Sequence, residues 1–365
     1  AVGGRNRTGK RQRTQRREGD QEMKAVIAMD SFKGSLTSME AGNAVMEGIC
    51  RADASAQVTV RPLADGGEGT VEALAEGMGG RLQEVTVTGP LGSPVSCTYG
   101  IAGDRSTAIL EMSGAAGITL VSPDMRNPLY TTTYGVGEVI RDAVLKGCRR
   151  FIVGIGGSAT NDGGVGMLQA LGFEFLDQEG GQIPQGAQGL KMLSAIRSEN
   201  ALPQVADCTF RVACDVTNVL CGKQGCSAVY GPQKGATPAM IREMDRWLAD
   251  YAALAQKSFP HADPDRAGSG AAGGLGFAFG TFLHAALEPG AQIVLEETGL
   301  VSEVVIQNEI MYDNIIAQLK PDYVIHGDNW CRGPENAIRE KVLKNLNKHG
   351  GKLIEVGYTY NENIR

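Results

Sequence analysis

Apolar and polar positions along the first 80 residues follow a β-α-β-α pattern. An apolar run at residues 24–29 predicts a buried strand, and helical spacing from Ala41 to Ile49 follows it, with Ser38 as the predicted N-cap. A second strand at 58–62 leads through a polar loop into a helix at 71–78. This order predicts a parallel α/β layer, in which sites lie beyond the carboxyl ends of the strands.

From about residue 80 the pattern changes to short alternating strands at 82–87 and 95–99, separated by Gly and Pro. This change predicts a second, mixed module inserted after the first β-α units. The later part of the chain predicts strands at 108–112, 151–153 and 210–214, a tight turn at 113–117, helices at 134–145 and 241–256, and a helical stretch from 268 through 287. No internal repeat is visible.

The densest chemical signal is the glycine-rich stretch 154–166, which directly follows the apolar run Phe-Ile-Val. Glycines at 156 and 157 predict exposed backbone N–H groups, which suit a phosphate or another anion. Ser158, Thr160 and Asn161 add donors, and Asp162 is predicted to accept a proton or to help hold a metal ion. The alternative is a tight turn that enters a helix, with Asn161 or Asp162 as its N-cap.

Two further polar loops follow the first two strands. In the first, Lys33 and Ser31 are predicted to meet phosphate oxygens and Asp30 to bind a metal ion, although Asp-Ser and Lys-Gly are also ordinary turn sequences. In the second, only Gly66 and Gly67 separate two carboxylates. Each loop therefore has both a functional and a purely structural interpretation.

The carboxylates of the second loop, Asp65 and Glu68, suit a general base and a Mg²⁺ ligand. A solvated acidic turn is the alternative. Asp215, directly after the strand at 210–214, is a third carboxylate at a strand end and a predicted metal ligand.

Composition narrows the class of protein. The 365 residues are 42% hydrophobic and include 50 glycines, which fits a globular protein of two or three domains. Aromatic residues are only 5%, which argues against nucleic-acid binding by stacking, and no apolar run reaches the roughly 20 residues of a membrane span. The eight cysteines lack paired metal spacing, which favours reduced thiols in a cytoplasmic protein.

Residues 1–22 differ from the rest in having seven basic and three acidic side chains and almost no apolar ones. Such a segment cannot bury a core, and we expect a disordered basic extension. A nucleic-acid tail and a transit peptide are the alternatives.

Two nucleotide-binding signatures can be compared with the chain. It contains no G-x-x-x-x-G-K-[ST], which excludes a P-loop kinase. Gly154, Gly156 and Ala159 give a loose dinucleotide fingerprint, with Glu174 and Asp177 about 20 residues on. Because residues 160–164 interrupt the helix start that such a fingerprint needs, a dehydrogenase ranks below a kinase.

Several long motifs together resemble the bacterial glycerate kinase family, in consistent order from about residue 23 to 300. They are DSFKGSLTS at 30–38, PLADGGEGT at 62–70, the turn at 113–118, GIGGSATNDGGVGMLQALG at 154–172, CDVTNVLCG at 214–222, YGPQKGA at 230–236 and GSGAAGGLG at 268–276.

The resemblance implies ATP-dependent phosphoryl transfer to D-glycerate, giving 2-phosphoglycerate, with ATP and Mg²⁺ as cofactors. Asp65, Lys33 and Asp162 would be catalytic, with Asp65 activating the glycerate hydroxyl. Asp30, Glu68 and Asp215 would hold the metal. Substrate and phosphate would be bound by Ser31, Gly66, Gly67, Gly156, Gly157, Ser158, Thr160 and Asn161. Apart from this small molecule, neither a nucleic acid nor a membrane is an expected partner, and the oligomeric state is left open.

The same resemblance implies the fold class: an α/β protein in which a split Rossmann-like parallel-sheet domain contains an inserted mixed α/β substrate domain. The first domain would comprise residues 23–80 and about 280–300, and the insertion residues 81–279. After residue 300 the family's Gly-Glu-Gly-Arg-x-Asp loop is missing, which predicts impaired activity. An inactive glycerate- or phosphate-binding remnant and a fusion with a partial nucleotidyltransferase are the alternatives.

Residues 301–365 resemble the second half of a cytidylyltransferase-like domain. His326, Gly327, Asp328 and Trp330 match the H-G-D-[DN]-W loop of such domains, and a β-α-β unit is predicted, with a helix at 335–349 and a strand at 352–358. The H-x-G-H loop that defines nucleotidyl transfer does not occur in the chain, so we expect no such transfer. The alternative interpretation is that His326 and Asp328 simply belong to a polar loop after a buried strand.

Overall fold

The fold is that of a computed structural model, which describes residues 24–29, 36, 38–62, 69–297, 312–327, 330 and 336–356. The chain divides into two compact units, residues 1–302 and 303–365. The predicted basic extension at 1–22 lies outside the described residues. Along the described chain, no helix is both long and apolar enough to cross a membrane.

The strands and helices of the first unit follow in chain order. They are β1 (Lys24–Met29), α1 (Ser38–Ala52), β2 (Gln57–Pro62), α2 (Thr70–Gly77), β3 (Arg81–Thr88), β4 (Pro94–Ile101), β5 (Thr107–Glu111), α3 (Ser113–Ala116), α4 (Tyr134–Leu145), β6 (Arg150–Gly154), α5 (Val165–Ala170), β7 (Glu174–Leu176), β8 (Ala195–Arg197), β9 (Thr209–Ala213), α6 (Cys226–Tyr230), α7 (Pro238–Ala255), α8 (Ala271–Phe282), β10 (Ala286–Glu288) and α9 (Gly290–Glu297).

The main sheet has six strands in the order β10-β9-β6-β5-β4-β3. The four strands from β10 to β5 are parallel, whereas β4 pairs antiparallel with both β5 and β3. The registers place Glu111, Gly154 and Ala213 side by side at the carboxyl ends of β5, β6 and β9. A separate parallel pair, β1 and β2, brings Met29 level with Pro62. The predicted α/β fold class with a mainly parallel sheet is confirmed.

Both faces of the sheet are covered at β5, β6 and β9, which explains the apolar runs of these three strands. Because side chains alternate along a strand, Leu110 and Phe151 join the large core on the side of α4, α5 and α8. Ile109 and Ile152 instead join a smaller core with residues of α2 and α9. Phe151 also stacks on Phe210 of β9, with ring centroids 4.8 Å apart.

The second unit consists of α10 (Asp313–Leu319), β11 (Tyr323–Gly327), α11 (Asn336–Asn347) and β12 (Lys352–Val356), with β11 parallel to β12. The predicted β-α-β unit is therefore present. Its core contains Ile316, Trp330, Val342 and Leu346, and Trp330 Nε1 donates to Glu355 Oε1 at 2.9 Å.

Three local predictions differ from the structure. The predicted helix through 287 is wrong beyond residue 282, because α8 ends at Phe282 and residues 286–288 form β10 beside β9. His284 lies between them with φ 52°, a left-handed conformation that interrupts the helix. Ser38 is the first residue of α1 rather than its cap. The predicted turn at 113–117 forms one helical turn, α3.

Candidate active site

A cleft of about 390 Å³ lies beyond the carboxyl ends of β6 and β9. Its lining brings together Gly156, Gly157, Ser158 and Asp215 from the predicted site residues. The other lining residues are Ile118, Ile155, Ala213, Cys214, Val216, Tyr230, Gln233, Ala271 and Ala272. The cleft thus has apolar walls and one polar side made by the glycine-rich loop, at the edge where an α/β sheet places its ligands.

Backbone hydrogen bonds hold one side of the loop at 155–158. Ala159 N donates to Ala116 O at 2.9 Å, and Ile118 N donates to Gly157 O at 2.8 Å, so the loop pairs with the segment after α3. The N–H groups of Gly156, Gly157 and Ser158 have no hydrogen-bond partner within the described part of the chain. Gly157 has φ +70°, which favours glycine. Three successive free amides form a suitable anion-binding turn.

Beneath this turn lies Lys234, a residue to which the sequence analysis gave no role. It ends the short 3₁₀ turn Pro232–Lys234 and is 2% exposed. Its ammonium donates to Ser158 Oγ at 2.7 Å and to Thr160 O at 2.6 Å. Burial lowers the pKa of Lys234 to about 8, opposed by Cys226 and Asp162. Within a Gly- and Pro-rich motif, the sequence gives no sign that this lysine is enclosed.

Asp215 follows β9 and is exposed in the cleft. Its Oδ1 accepts a hydrogen bond from Gly290 N, the first residue of α9, at 3.0 Å. The side chain therefore combines a helix-capping contact with a position on the cleft wall.

Asp162 does not lie in the cleft: it is 1% exposed, and its carboxylate accepts four hydrogen bonds. Oδ2 accepts from Thr133 N and Thr133 Oγ1, both at 2.9 Å, and from Gly166 N at 3.3 Å, while Oδ1 accepts from Gly164 N at 3.1 Å. Burial raises the pKa of this carboxyl, and the hydrogen bonds from Thr133, Gly164 and Gly166 partly oppose the rise. These contacts favour the capping alternative, since Asp162 fixes the first turn of α5, and its catalytic role stays a prediction.

Thr160 and Asn161 are also fully buried and do not line the cleft, so their donation to a substrate stays a prediction. Asn161 Nδ2 donates to Ser227 Oγ at 2.8 Å, which ties the loop to α6. Thr160 contributes its carbonyl oxygen to Lys234. Both residues hold the loop from behind instead of lining the cleft.

Tight packing around this buried half of the loop explains several of its glycines. Gly163 N donates to Gly273 O at 3.0 Å, and both glycines have positive φ. A Cβ at Gly273 would collide with the carbonyl oxygen of Thr160. Ala272, a cleft-lining residue, has φ 52°, a strained conformation for a residue with a side chain. Glycines 163, 164 and 273 thus serve close packing and not anion binding.

A second residue that the sequence analysis missed is Glu111, at the end of β5. Its Oε1 accepts a hydrogen bond from Val71 N at 3.1 Å, and Ser113 Oγ donates to its Oε2 at 3.2 Å. Burial raises the pKa of this carboxyl, opposed by the bond from Val71. Glu111 therefore fixes the first turn of α2 at the strand edge that borders the cleft.

The remaining predicted site residues lie outside the described residues. They are Asp30, Ser31, Lys33, Asp65, Gly66, Gly67 and Glu68. Two observations bear on the chain that flanks them. Met29 and Pro62 are in register, so β1 and β2 end at the same edge of that sheet. The described chain resumes at residue 69 and continues into α2, where Val71 N donates to Glu111.

Comparison with known proteins identifies the family. The model of the glycerate kinase family matches residues 25–311. A glycerate kinase from Haemophilus influenzae is 47% identical over 282 residues, which cover 77% of this chain and 75% of that protein. A glycerate 2-kinase from Escherichia coli K12 is 46% identical over 77% of this chain and 74% of its own length.

The crystal structure of a protein assigned as glycerate kinase 2 from Salmonella typhimurium LT2 superposes with a TM-score of 0.77 at 42% identity. The match covers 92% of this chain and 87% of that one. The chain therefore belongs to the glycerate kinase family, and it is a kinase. The predicted resemblance of residues 301–365 to a cytidylyltransferase-like domain finds no support in these comparisons.

Proposed function

We propose that this protein transfers the γ-phosphoryl group of ATP to the 2-hydroxyl of D-glycerate, giving 2-phosphoglycerate. The observation that carries the proposal is the cleft with three free amides, at Gly156, Gly157 and Ser158, above the buried ammonium of Lys234. Phosphoryl transfer depends mainly on positioning and on neutralising phosphate charge, and these groups supply both. The name of the E. coli relative, a glycerate 2-kinase, supports the choice of hydroxyl.

In this proposal the glycerate hydroxyl attacks the γ-phosphorus in line, the bond to the ADP oxygen breaks, and a carboxylate takes the hydroxyl proton. We assign that carboxylate to Asp65, with Lys33 beside the phosphate, and keep Ser31, Gly66 and Gly67 as phosphate ligands. The fixed start of α2 supports this assignment, because the Asp65 loop precedes it directly in the chain. Asp162 acts only through the loop that it holds.

The proposed Mg²⁺ site is compatible with Asp215. In the part of the chain that the structure describes, no group of three or more His, Cys, Asp or Glu residues could hold a metal ion. Mg²⁺, however, commonly uses one or two carboxylates and completes its shell with water and substrate phosphate. Asp215, together with Asp30 and Glu68, would hold the ion, which would shield charge on the transferred phosphate.

The first experiment measures ADP release from ATP with D-glycerate, and with L-glycerate as the substrate control. Phosphorus and carbon NMR then identify whether carbon 2 or carbon 3 carries the phosphate. Turnover of D-glycerate to 2-phosphoglycerate supports the proposal. Thermal stabilisation by glycerate without turnover would instead support the inactive binding remnant, and a 3-phosphate product would refute the assigned hydroxyl.

The role of Asp65 is tested by Asp65→Asn, with Glu47→Gln on the exposed surface of α1 as the matched control. We expect a loss of kcat of at least about 100-fold in the first variant, within the range of general-base catalysis, and none in the second. Both variants should melt at the temperature of the unmodified protein. Full activity of Asp65→Asn would refute the assignment.

For the second unit we propose no reaction. The cytidylyltransferase resemblance predicts pyrophosphate release from CTP only if a half-domain suffices, and the defining H-x-G-H loop does not occur in the sequence. We therefore expect no pyrophosphate release above background when the protein is incubated with CTP. Measurable release would revive the nucleotidyltransferase interpretation.

A further inference from the structure

Lys234 places an amino group beneath the glycine-rich loop. Its ammonium is enclosed, yet no carboxylate lies within ion-pair distance of it among the described residues. Burying an ammonium without an ion-pair partner is costly, and an apolar side chain would serve stability better. A cost of this kind at the floor of a cleft indicates that the charge serves a ligand.

The hydrogen bond to Ser158 shows how the charge of Lys234 can act on a ligand in the cleft. Ser158 Oγ accepts a hydrogen bond from Lys234 Nζ at 2.7 Å, so the hydroxyl keeps its own O–H free to donate. A hydroxyl that accepts from a cation is polarised and becomes a stronger donor. Ser158 lines the cleft, next to the free amides of Gly156 and Gly157.

The local fold keeps Lys234 in this place. Gly235 has φ +88° and its N–H donates to Pro232 O at 3.1 Å, which closes the turn directly after the lysine. A Cβ at Gly235 would collide with the carbonyl oxygen of Arg126. The second bond of the ammonium, to Thr160 O at 2.6 Å, holds the far end of the glycine-rich loop. The lysine is therefore fixed against the loop from both sides.

We propose that Lys234 is a positioning residue for the phosphate chain of the nucleotide: it orients and polarises Ser158 as a donor and supplies positive potential beneath the Gly156–Ser158 amides. This inference rests on the proposed function only in that the cleft binds a phosphate group. It does not require that glycerate is the acceptor.

A measurable consequence follows from the titration of Lys234. Burial lowers its pKa to about 8, against Cys226 of α6 and Asp162 of the glycine-rich loop, which raise it. The Cys226 thiol itself has a pKa raised by burial to about 11, so it stays protonated at pH 9. At pH 9 a group with a pKa of about 8 is about nine-tenths deprotonated, and a bound polyphosphate favours its charged form. Nucleotide binding at pH 9 should therefore take up close to one proton.

Isothermal titration of the unmodified protein with magnesium ATP tests this directly. Titrations at pH 6.5 and pH 9, each in two buffers of different ionisation enthalpy, give the number of protons taken up. We expect close to none at pH 6.5 and close to one at pH 9. Binding at pH 9 without proton uptake would overturn the inference, and this measurement needs no variant.

Variants then locate the proton and the coupling. Lys234→Met should abolish the uptake and weaken ATP binding at least tenfold, whereas Lys191→Met, an exposed lysine in another 3₁₀ turn, should change neither. Ser158→Ala should weaken binding by a similar factor, and the Lys234→Met/Ser158→Ala double variant should bind no more weakly than Lys234→Met. Independent, multiplicative effects of the two substitutions would contradict the coupling.

The outcomes separate this inference from the proposed function. A protein that binds ATP with proton uptake but does not phosphorylate glycerate would refute the proposed acceptor and support the role of Lys234. A protein that phosphorylates glycerate, but takes up no proton when it binds ATP at pH 9, would support the proposed acceptor and refute the role of Lys234. If the protein bound no nucleotide at all, both would fall.

Discussion

The assignment of Asp162 to positioning predicts a specific response to Asp162→Asn. An amide can keep its oxygen at the Oδ2 position, where Thr133 N, Thr133 Oγ1 and Gly166 N donate. Its NH₂ group must then face Gly164 N, which is also a donor. One hydrogen bond to a charged group is lost and one buried N–H is left without an acceptor.

The magnitude follows from these two changes. A hydrogen bond to a charged group contributes roughly 1.5–3 kcal/mol, and an unsatisfied buried N–H costs roughly 1–3 kcal/mol. Burial raises the pKa of Asp162, so a neutral amide also removes part of the cost of enclosing a charge. We expect the free energy of unfolding to fall by about 2 kcal/mol, within the usual range for such substitutions.

Asp104→Asn is the matched control, because Asp104 also accepts four hydrogen bonds. Its Oδ1 accepts from Ser106 N and Thr107 N, both at 2.9 Å, while its Oδ2 accepts from the hydroxyls of Thr107 at 2.7 Å and Ser106 at 3.1 Å. Hydroxyls can turn and accept from an amide, whereas Gly164 N cannot. We therefore expect Asp104→Asn to cost about 1 kcal/mol or less.

Urea unfolding followed by circular dichroism measures both variants, and ADP release with D-glycerate measures the activity of the folded fraction. We expect kcat of Asp162→Asn to stay within about tenfold of the unmodified protein, since a positioning residue does not take part in proton transfer. An unchanged free energy of unfolding together with a loss of kcat of more than about 1000-fold would refute the positioning role.

Three further predictions concern packing and charge. Gly273→Ala should lower the melting temperature sharply, because its Cβ meets Thr160 O, whereas Gly180→Ala, with a similar φ but open space, should lower it only slightly. Arg211→Met should destabilise the protein and remove part of its salt dependence, measured by urea unfolding at two ionic strengths, since Arg211 pairs with Glu288, Glu296 and Glu297. Burial raises the pKa of Asp104, but hydrogen bonds from Thr107 and Ser106 outweigh it and lower the pKa to about 2. Stability from this group is present above its unfolded pKa and is lost as pH falls towards 2, so acid unfolding of Asp104→Asn should be less steep.

The pattern of apolar positions predicted most of the strands and their parallel arrangement. The runs at 108–112, 151–153 and 210–214 are apolar because β5, β6 and β9 are covered on both faces. That arrangement also explains why the loops after these strands meet at one edge. Residues 286–288 could not be predicted as a strand, because nothing local distinguishes them from the end of α8; only their pairing with β9 does.

The sequence predicted which loop forms the site, but not the role of each residue in that loop. Gly156, Gly157, Ser158 and Asp215 do share a cleft. Asp162 looks like an exposed turn carboxylate in sequence, because its main partner, Thr133, lies 29 residues earlier. Roles that depend on burial and on distant partners are not visible in a local pattern.

Lys234 and Glu111 are residues whose roles the local sequence did not predict at all. Lys234 stands in a polar Gly-Pro-Gln-Lys-Gly segment that is typical of a surface loop, yet it is enclosed beneath Ser158. Glu111 ends an apolar strand and resembles an ordinary edge residue, yet it caps α2 from 40 residues away. Only the packing of separate segments against one another shows that Lys234 lies beneath the cleft and that Glu111 holds α2.

The central claim is that the free amides at Gly156, Gly157 and Ser158 bind phosphate at the carboxyl ends of β6 and β9. The most direct test is a crystal structure of the protein with D-glycerate and a non-hydrolysable ATP analogue. We expect phosphate oxygens within roughly 3 Å of these amides and of Ser158 Oγ, with Lys234 still donating to Ser158. Phosphates bound elsewhere, with the cleft occupied by neither ligand, would contradict the account.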